Sequence, residues 1–127
     1  MPAFKEMTPE EFKSFIDKIF TGNPADARSD CESTITPDYI RFMAGGDETN
    51  FERAVEKVAF FRANCHTWES DIVFFMQEEN RVAARLLCTL GMAGQEAKRV
   101  ELMFMAEVNG EGLFEKVWEQ AADWVGE

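Results

Sequence analysis

The stretch DIVFFMQEENRVAARLL, residues 71–87, sets the architecture. Two apolar runs flank the turn Glu78-Glu79-Asn80, the pattern of an antiparallel hairpin. Strand side chains alternate between faces, so Ile72, Phe74 and Met76 share one side while Val73 and Phe75 share the other. Both sides are apolar, and each needs a cover.

Outward from the hairpin the period of two continues. Strands are expected over 68–76, 82–90, 99–108 and 113–120, with turns at EEN, GMAGQEA and NGEG. Even-numbered positions collect Ile72, Phe74, Met76, Val82, Ala84, Leu86, Cys88, Leu90, Val100, Leu102, Phe104, Ala106 and Val108, a face without a charge. Odd-numbered positions mix Val73, Phe75, Leu87, Met103 and Met105 with Arg85, Glu101 and Glu107.

Upstream the period is helical. In TPEEFKSFIDKIF, Thr8 caps, Pro9 suits the first helical position and Glu11 completes a capping box, after which Phe12, Phe15, Ile16 and Ile19 form one stripe. ADARSDCES is weakly helical, and a short strand is expected over 39–44, between Pro37 and Gly45-Gly46. Thr49 with Glu52 reads as a second capping box, opening a helix whose stripe is Ala54, Val55, Val58, Phe61 and Cys65. Helices followed by a run of strands mean an α+β fold, with the helices over the uncharged face. The mixed face then suits a subunit interface, so a homodimer is expected; scattered exposed apolar residues on a monomer are the alternative.

Composition narrows the partners. A chain of 127 residues, 46% hydrophobic, holds one domain with a substantial core. Its formal charge of -11 opposes binding to nucleic acid or to an anionic membrane surface. MPAFKEMTPEEF lacks a signal-peptide core and no segment is long and apolar enough to span a bilayer, so a cytoplasmic protein is expected. Cys31, Cys65 and Cys88 are odd in number and widely spaced, indicating free thiols and no zinc site. Gly45-Gly46 and Asn109-Gly110 are turns, not phosphate cradles.

YIRFMAGG followed by a helix, then NRVAARLLCTLG, then ELMFMAEVNGEGLFEKVW with a Trp near the end, resembles the nuclear-transport-factor-2-like superfamily. Within it the pattern is most similar to SnoaL-like polyketide cyclases and ketosteroid isomerase relatives. The resemblance implies a single SnoaL-like domain over residues 1–127. It implies a cone-shaped, cystatin-like fold, with N-terminal helices packed on a strongly curved mixed or antiparallel sheet, a hydrophobic pocket between them and often a dimer through the outer face. It also implies a small, largely apolar ligand. Catalytic positions of relatives are filled here by apolar groups. Leu86 and Cys88 stand where epoxide-hydrolase-like relatives carry Arg and Asp, Ala44 where isomerases carry a carboxylate, and Phe42 near the histidine of cyclases. Phe42, Leu86 and Cys88 are thereby expected to line a ligand site instead. Cyclases place an Asp shortly after the strand's Trp; after Trp118 this chain reads EQAADW, which offers Asp123.

Three groups are then candidates for acid, base or orienting roles: His66, the only histidine, Tyr39 and Asp123. Trp118 and Gln120, of one parity, are candidate pocket-lining residues, and Arg85 with Glu101 a cross-strand pair on the outer face or, were the faces inverted, an acid/base pair inside. The expected function is binding of a small apolar molecule, with cofactor-free isomerisation, cyclisation or dehydration by proton transfer. The rival is a non-catalytic ligand-binding or dimerisation module.

Overall fold

The computed structural model describes residues 4–124 and 126. Helix α1 (Pro9–Thr21) starts as the sequence dictates: Thr8 accepts from the Glu11 amide at 3.0 Å and the Glu11 carboxylate accepts from the Thr8 amide at 3.1 Å. A single 3-10 turn at Pro24–Asp26 leads into the short α2 (Ala27–Glu32), and α3 covers Phe51–Asn64. The strands are β1 (Ile35–Met43), β2 (Glu48–Asn50), β3 (Cys65–Glu78), β4 (Arg81–Met92), β5 (Lys98–Val108) and β6 (Phe114–Asp123). They form one sheet in the order β2-β1-β6-β5-β4-β3, antiparallel except where β1 runs parallel to β6. This is an α+β fold with three helices packed on one face of a six-stranded mixed sheet.

Two local expectations change. The cap of α3 is Asn50, whose side chain accepts from the Arg53 amide at 2.9 Å, while Thr49 lies in β2 and is buried. Cys65 begins β3 rather than ending the helix, because α3 stops at Asn64.

The parity argument holds wherever the ladder is regular. Val82, Ala84, Leu86, Cys88, Val100, Phe104, Ala106 and Val108 all point into the core, under Phe12 and Ile16 of α1. In β3 it holds only to Ile72. Ile72 pairs with Leu86 but Phe74 pairs with Arg85, so Val73 is an extra residue in the strand and every later side chain changes face. Phe75 therefore turns inward onto Phe12, at 5.3 Å between ring centroids, and Phe74 and Met76, expected inside, are exposed on the outer face. A second shift lies in β6, where Val108 pairs with Phe114 and Glu107 with Lys116. Skipping Glu115 lets Phe114 and Val117 both face the core despite opposite parity.

Around Phe12 the core is aromatic: Phe15, Phe75, Phe104 and Phe114 lie within 6.5 Å of its centroid. The helical layer is fastened by Arg62 of α3. Its side chain is fully buried and donates to the carbonyls of Lys18, Ile19 and Asn23, at 2.7 to 3.0 Å, and pairs with Asp30 at 2.8 Å. One guanidinium thus satisfies the orphan carbonyls at the end of α1 and holds α2 against α3.

Candidate functional site

A pocket of about 730 Å³ opens between the three helices and the inner face of the sheet. Most of its wall is apolar: Phe15, Ile16, Ile19 and Phe20 from α1, Ala54, Val58 and Phe61 from α3, and Ile35, Phe104 and Val117 from the sheet. The size and the greasy wall are those of a small-molecule site.

Its polar groups gather at one end, built by β1, β2, β6 and α3. Tyr39 and Arg41 are two apart on β1 and so share the inner face, and Glu119 reaches the same place from β6. Arg41 Nη1 lies 3.4 Å from Glu119 Oε2, and Arg41 Nη2 donates to Thr49 Oγ1 at 3.3 Å. Thr49 Oγ1 also accepts from Lys57 Nζ at 2.7 Å, and Lys57 pairs with the exposed Asp47 at 3.1 Å. The buried Arg41 Nε has no partner among the described residues.

Burial pushes the Glu119 carboxyl above its ordinary pKa, with Arg41 and then Lys57 pulling it back down. The same burial raises the Tyr39 hydroxyl, against the opposing pull of Arg41. A carboxyl with a raised pKa beside an apolar hollow can hold a proton and pass it to, or take it from, a bound molecule.

Of the residues singled out from sequence, Tyr39 alone lines this pocket. His66 is exposed where β3 begins; its ring nitrogens engage Thr67 Oγ1 at 2.8 Å and the Gln95 carbonyl at 2.9 Å, and the ring lies against Gly91. Asp123 is exposed and paired with Lys98 at 3.1 Å. Leu86 and Cys88 do face inward but are sealed in the core, and burial drives the Cys88 thiol up to about 12. Phe42, Trp118 and Gln120 stand on the outer face, since Phe42 pairs with Trp118, Trp118 with Met105 and Gln120 with Met103. There they border a second hollow of about 770 Å³ with Val73, Phe74, Met103 and Met105. Arg85 and Glu101 are joined on that face at 2.6 Å.

Glu119, Arg41, Thr49 and Lys57 escaped the sequence reading. Arg41 was legible as the i+2 neighbour of Tyr39. Glu119 is the carboxylate immediately after Trp118, hidden because the extra residue at Glu115 inverts the parity of β6.

No protein-family model and no curated protein matches the sequence. Solved structures do match in fold. A protein from Rhodopseudomonas palustris, named provisionally as an isomerase, superposes with a TM-score of 0.73 at 10% identity over 94% of this chain and 93% of its own. A protein of ketosteroid isomerase-like fold from Catenulispora acidiphila, solved with trimethylamine, gives 0.70 at 15% identity over 89% and 85%. A protein from Jannaschia sp. CCS1, named provisionally as a SnoaL-like polyketide cyclase, gives 0.64 at 13% identity over 92% and 90%. The chain thus has the nuclear-transport-factor-2-like fold, in the form shared by SnoaL-like and ketosteroid isomerase-like proteins. No described helix is long and apolar enough to cross a membrane.

Proposed function

We propose that this protein binds a small, largely apolar molecule between helices and sheet and moves a proton on it, in an isomerisation, cyclisation or dehydration that uses no cofactor. The observation that carries this reading is Glu119: a largely buried carboxyl with a raised pKa, at the polar end of an otherwise apolar pocket. Glu119 is the acid or base, and Tyr39 orients an oxygen of the ligand. The isomerase and cyclase names borne by fold relatives support the same class of chemistry.

The test uses 2-tetralone, an apolar ketone with exchangeable protons beside its carbonyl. The protein is expected to accelerate their exchange with deuterium, followed by NMR, and Glu119→Gln to lower that rate by about 10²–10⁴-fold. Equal rates in the two proteins would remove Glu119 from the chemistry. Saturable binding with no exchange would favour the non-catalytic reading, which the sealing of Leu86 and Cys88 in the core already supports.

We further propose a homodimer through the outer face of the sheet. Val73, Phe74, Met76, Met103, Met105 and Trp118 are all exposed on it, an apolar surface interrupted by the paired Arg85 and Glu101, of the kind proteins cover. Light scattering at micromolar concentration should give twice the chain mass, and Met103→Lys with Met105→Lys should halve it while leaving helicity intact. A monomeric parent protein contradicts the proposal.

A further inference from the structure

The polar end of the pocket runs against the charge of the molecule. The chain carries a formal net charge of -11, yet the polar side chains bordering this pocket include three cations, Arg41, Arg53 and Lys57, against the carboxylates Glu56 and Glu119. Arg53 and Glu56 pair with each other at 3.2 Å and are exposed, which cancels them. What remains inside is Arg41 and Lys57, both donating to the hydroxyl oxygen of buried Thr49, with Glu119 facing Arg41. Asp47, the other partner of Lys57, is more than half exposed and does not border the pocket.

Donors also outnumber acceptors there. Arg41 Nε donates to nothing among the described residues, and the Tyr39 hydroxyl engages none of them. Burial opposes the charged form of Glu119, the one carboxyl that faces Arg41 inside the pocket. A surplus of partly buried positive charge and N–H groups beside an apolar wall is costly, and an oxyanion brought in by the ligand relieves it.

From this arrangement we infer that the pocket selects an apolar molecule ending in a carboxylate, seated with its oxygens toward Lys57 and the Arg41–Tyr39 edge and its hydrocarbon body against Phe15, Ile19 and Phe61. The inference rests on the reading of this pocket as a ligand site and adds the class of ligand. A second carboxylate brought beside Glu119 opposes its ionisation further.

Three probes of one shape separate the possibilities: 2-naphthoate, the neutral 2-naphthamide and the cationic 2-naphthylmethylammonium, titrated calorimetrically at pH 7. The acid is expected to bind about tenfold or more tightly than the amide, the margin of a charge-assisted hydrogen bond, and the cation weakest. Lys57→Met, at a partly exposed position, should bring acid binding down to that of the amide, and Arg41→Gln, its fold checked by circular dichroism, should do the same. Equal binding of acid and amide, or a preference that survives both substitutions, overturns the inference and leaves the apolar ligand site standing. Failure of all three probes to bind overturns the site itself.

Discussion

Arg41 and Glu119 meet at 3.4 Å across the parallel ladder of β1 and β6, one cation and one carboxyl facing the same hollow from strands far apart in sequence. Removal of the cation exposes what burial does to the carboxyl. The Glu119 side-chain carboxyl, followed by carbon-13 NMR, should titrate above the ordinary glutamate value of 4.5, and Arg41→Gln should raise it further because the largest attractive influence is lost. A carboxyl whose folded pKa is raised contributes stability that is fully present below pH 4.5 and lost as pH rises through the folded value. Relative to Glu119→Gln, the parent should weaken in urea as pH rises through that value. A Glu119 titration at or below 4.5 would contradict this account.

Arg62 gives the strongest structural prediction. Arg62→Met leaves three carbonyls without this donor and Asp30 with only the more distant Lys18, at 3.7 Å, and loss of about 3–5 kcal/mol in urea denaturation is expected. Arg62→Lys should recover only part of it, since an ammonium cannot reach all four partners in a fork. Gly22→Ala should also destabilise, because a Cβ there would stand 2.5 Å from Arg62 Cζ.

The bulge at Val73 predicts an asymmetry between adjacent residues. Phe74→Lys places a charge on the outer face and should leave the fold of the isolated chain within about 0.5 kcal/mol of the parent. Phe75→Lys drives a charge against Phe12 and should cost several times more or prevent folding. Similar melting temperatures for the two variants would mean that the strand keeps an unbroken alternation.

Thiol chemistry separates the three cysteines. Cys88 is buried with its pKa driven up to about 12, and Cys31 is buried with its pKa also raised, so both should resist a disulfide reagent until the chain unfolds. Cys65, half-buried, should react first. Rapid labelling of Cys88 in the native protein would contradict its burial in the core.

The helices, their stripes and the inner face of β4 and β5 were legible because nothing interrupts the period there. What misled was the insertion of single residues. One at Val73 exchanged Phe74 and Met76 for Phe75; another at Glu115 sent Trp118 and Gln120 outward and Glu119 inward. A bulge conserves composition and local propensity while inverting every later side chain, so its position depends on tertiary packing and leaves no trace in periodicity. Thr49 shows a different effect. It looks like a helix cap in sequence, but its hydroxyl is claimed by Arg41 and Lys57, and Asn50 caps in its place.

The parallel pairing of β1 with β6 also dictates when the pocket comes into being. Arg41 and Glu119 are 78 positions apart, so the loop that their contact closes spans most of the polypeptide and carries a large entropic cost. The hairpins from β3 to β5 close far shorter loops and can form earlier. Pulse-labelled hydrogen exchange during refolding should find amides of β4 and β5 protected before those of β1, with the pocket completed last, when the final strand slots between its neighbours.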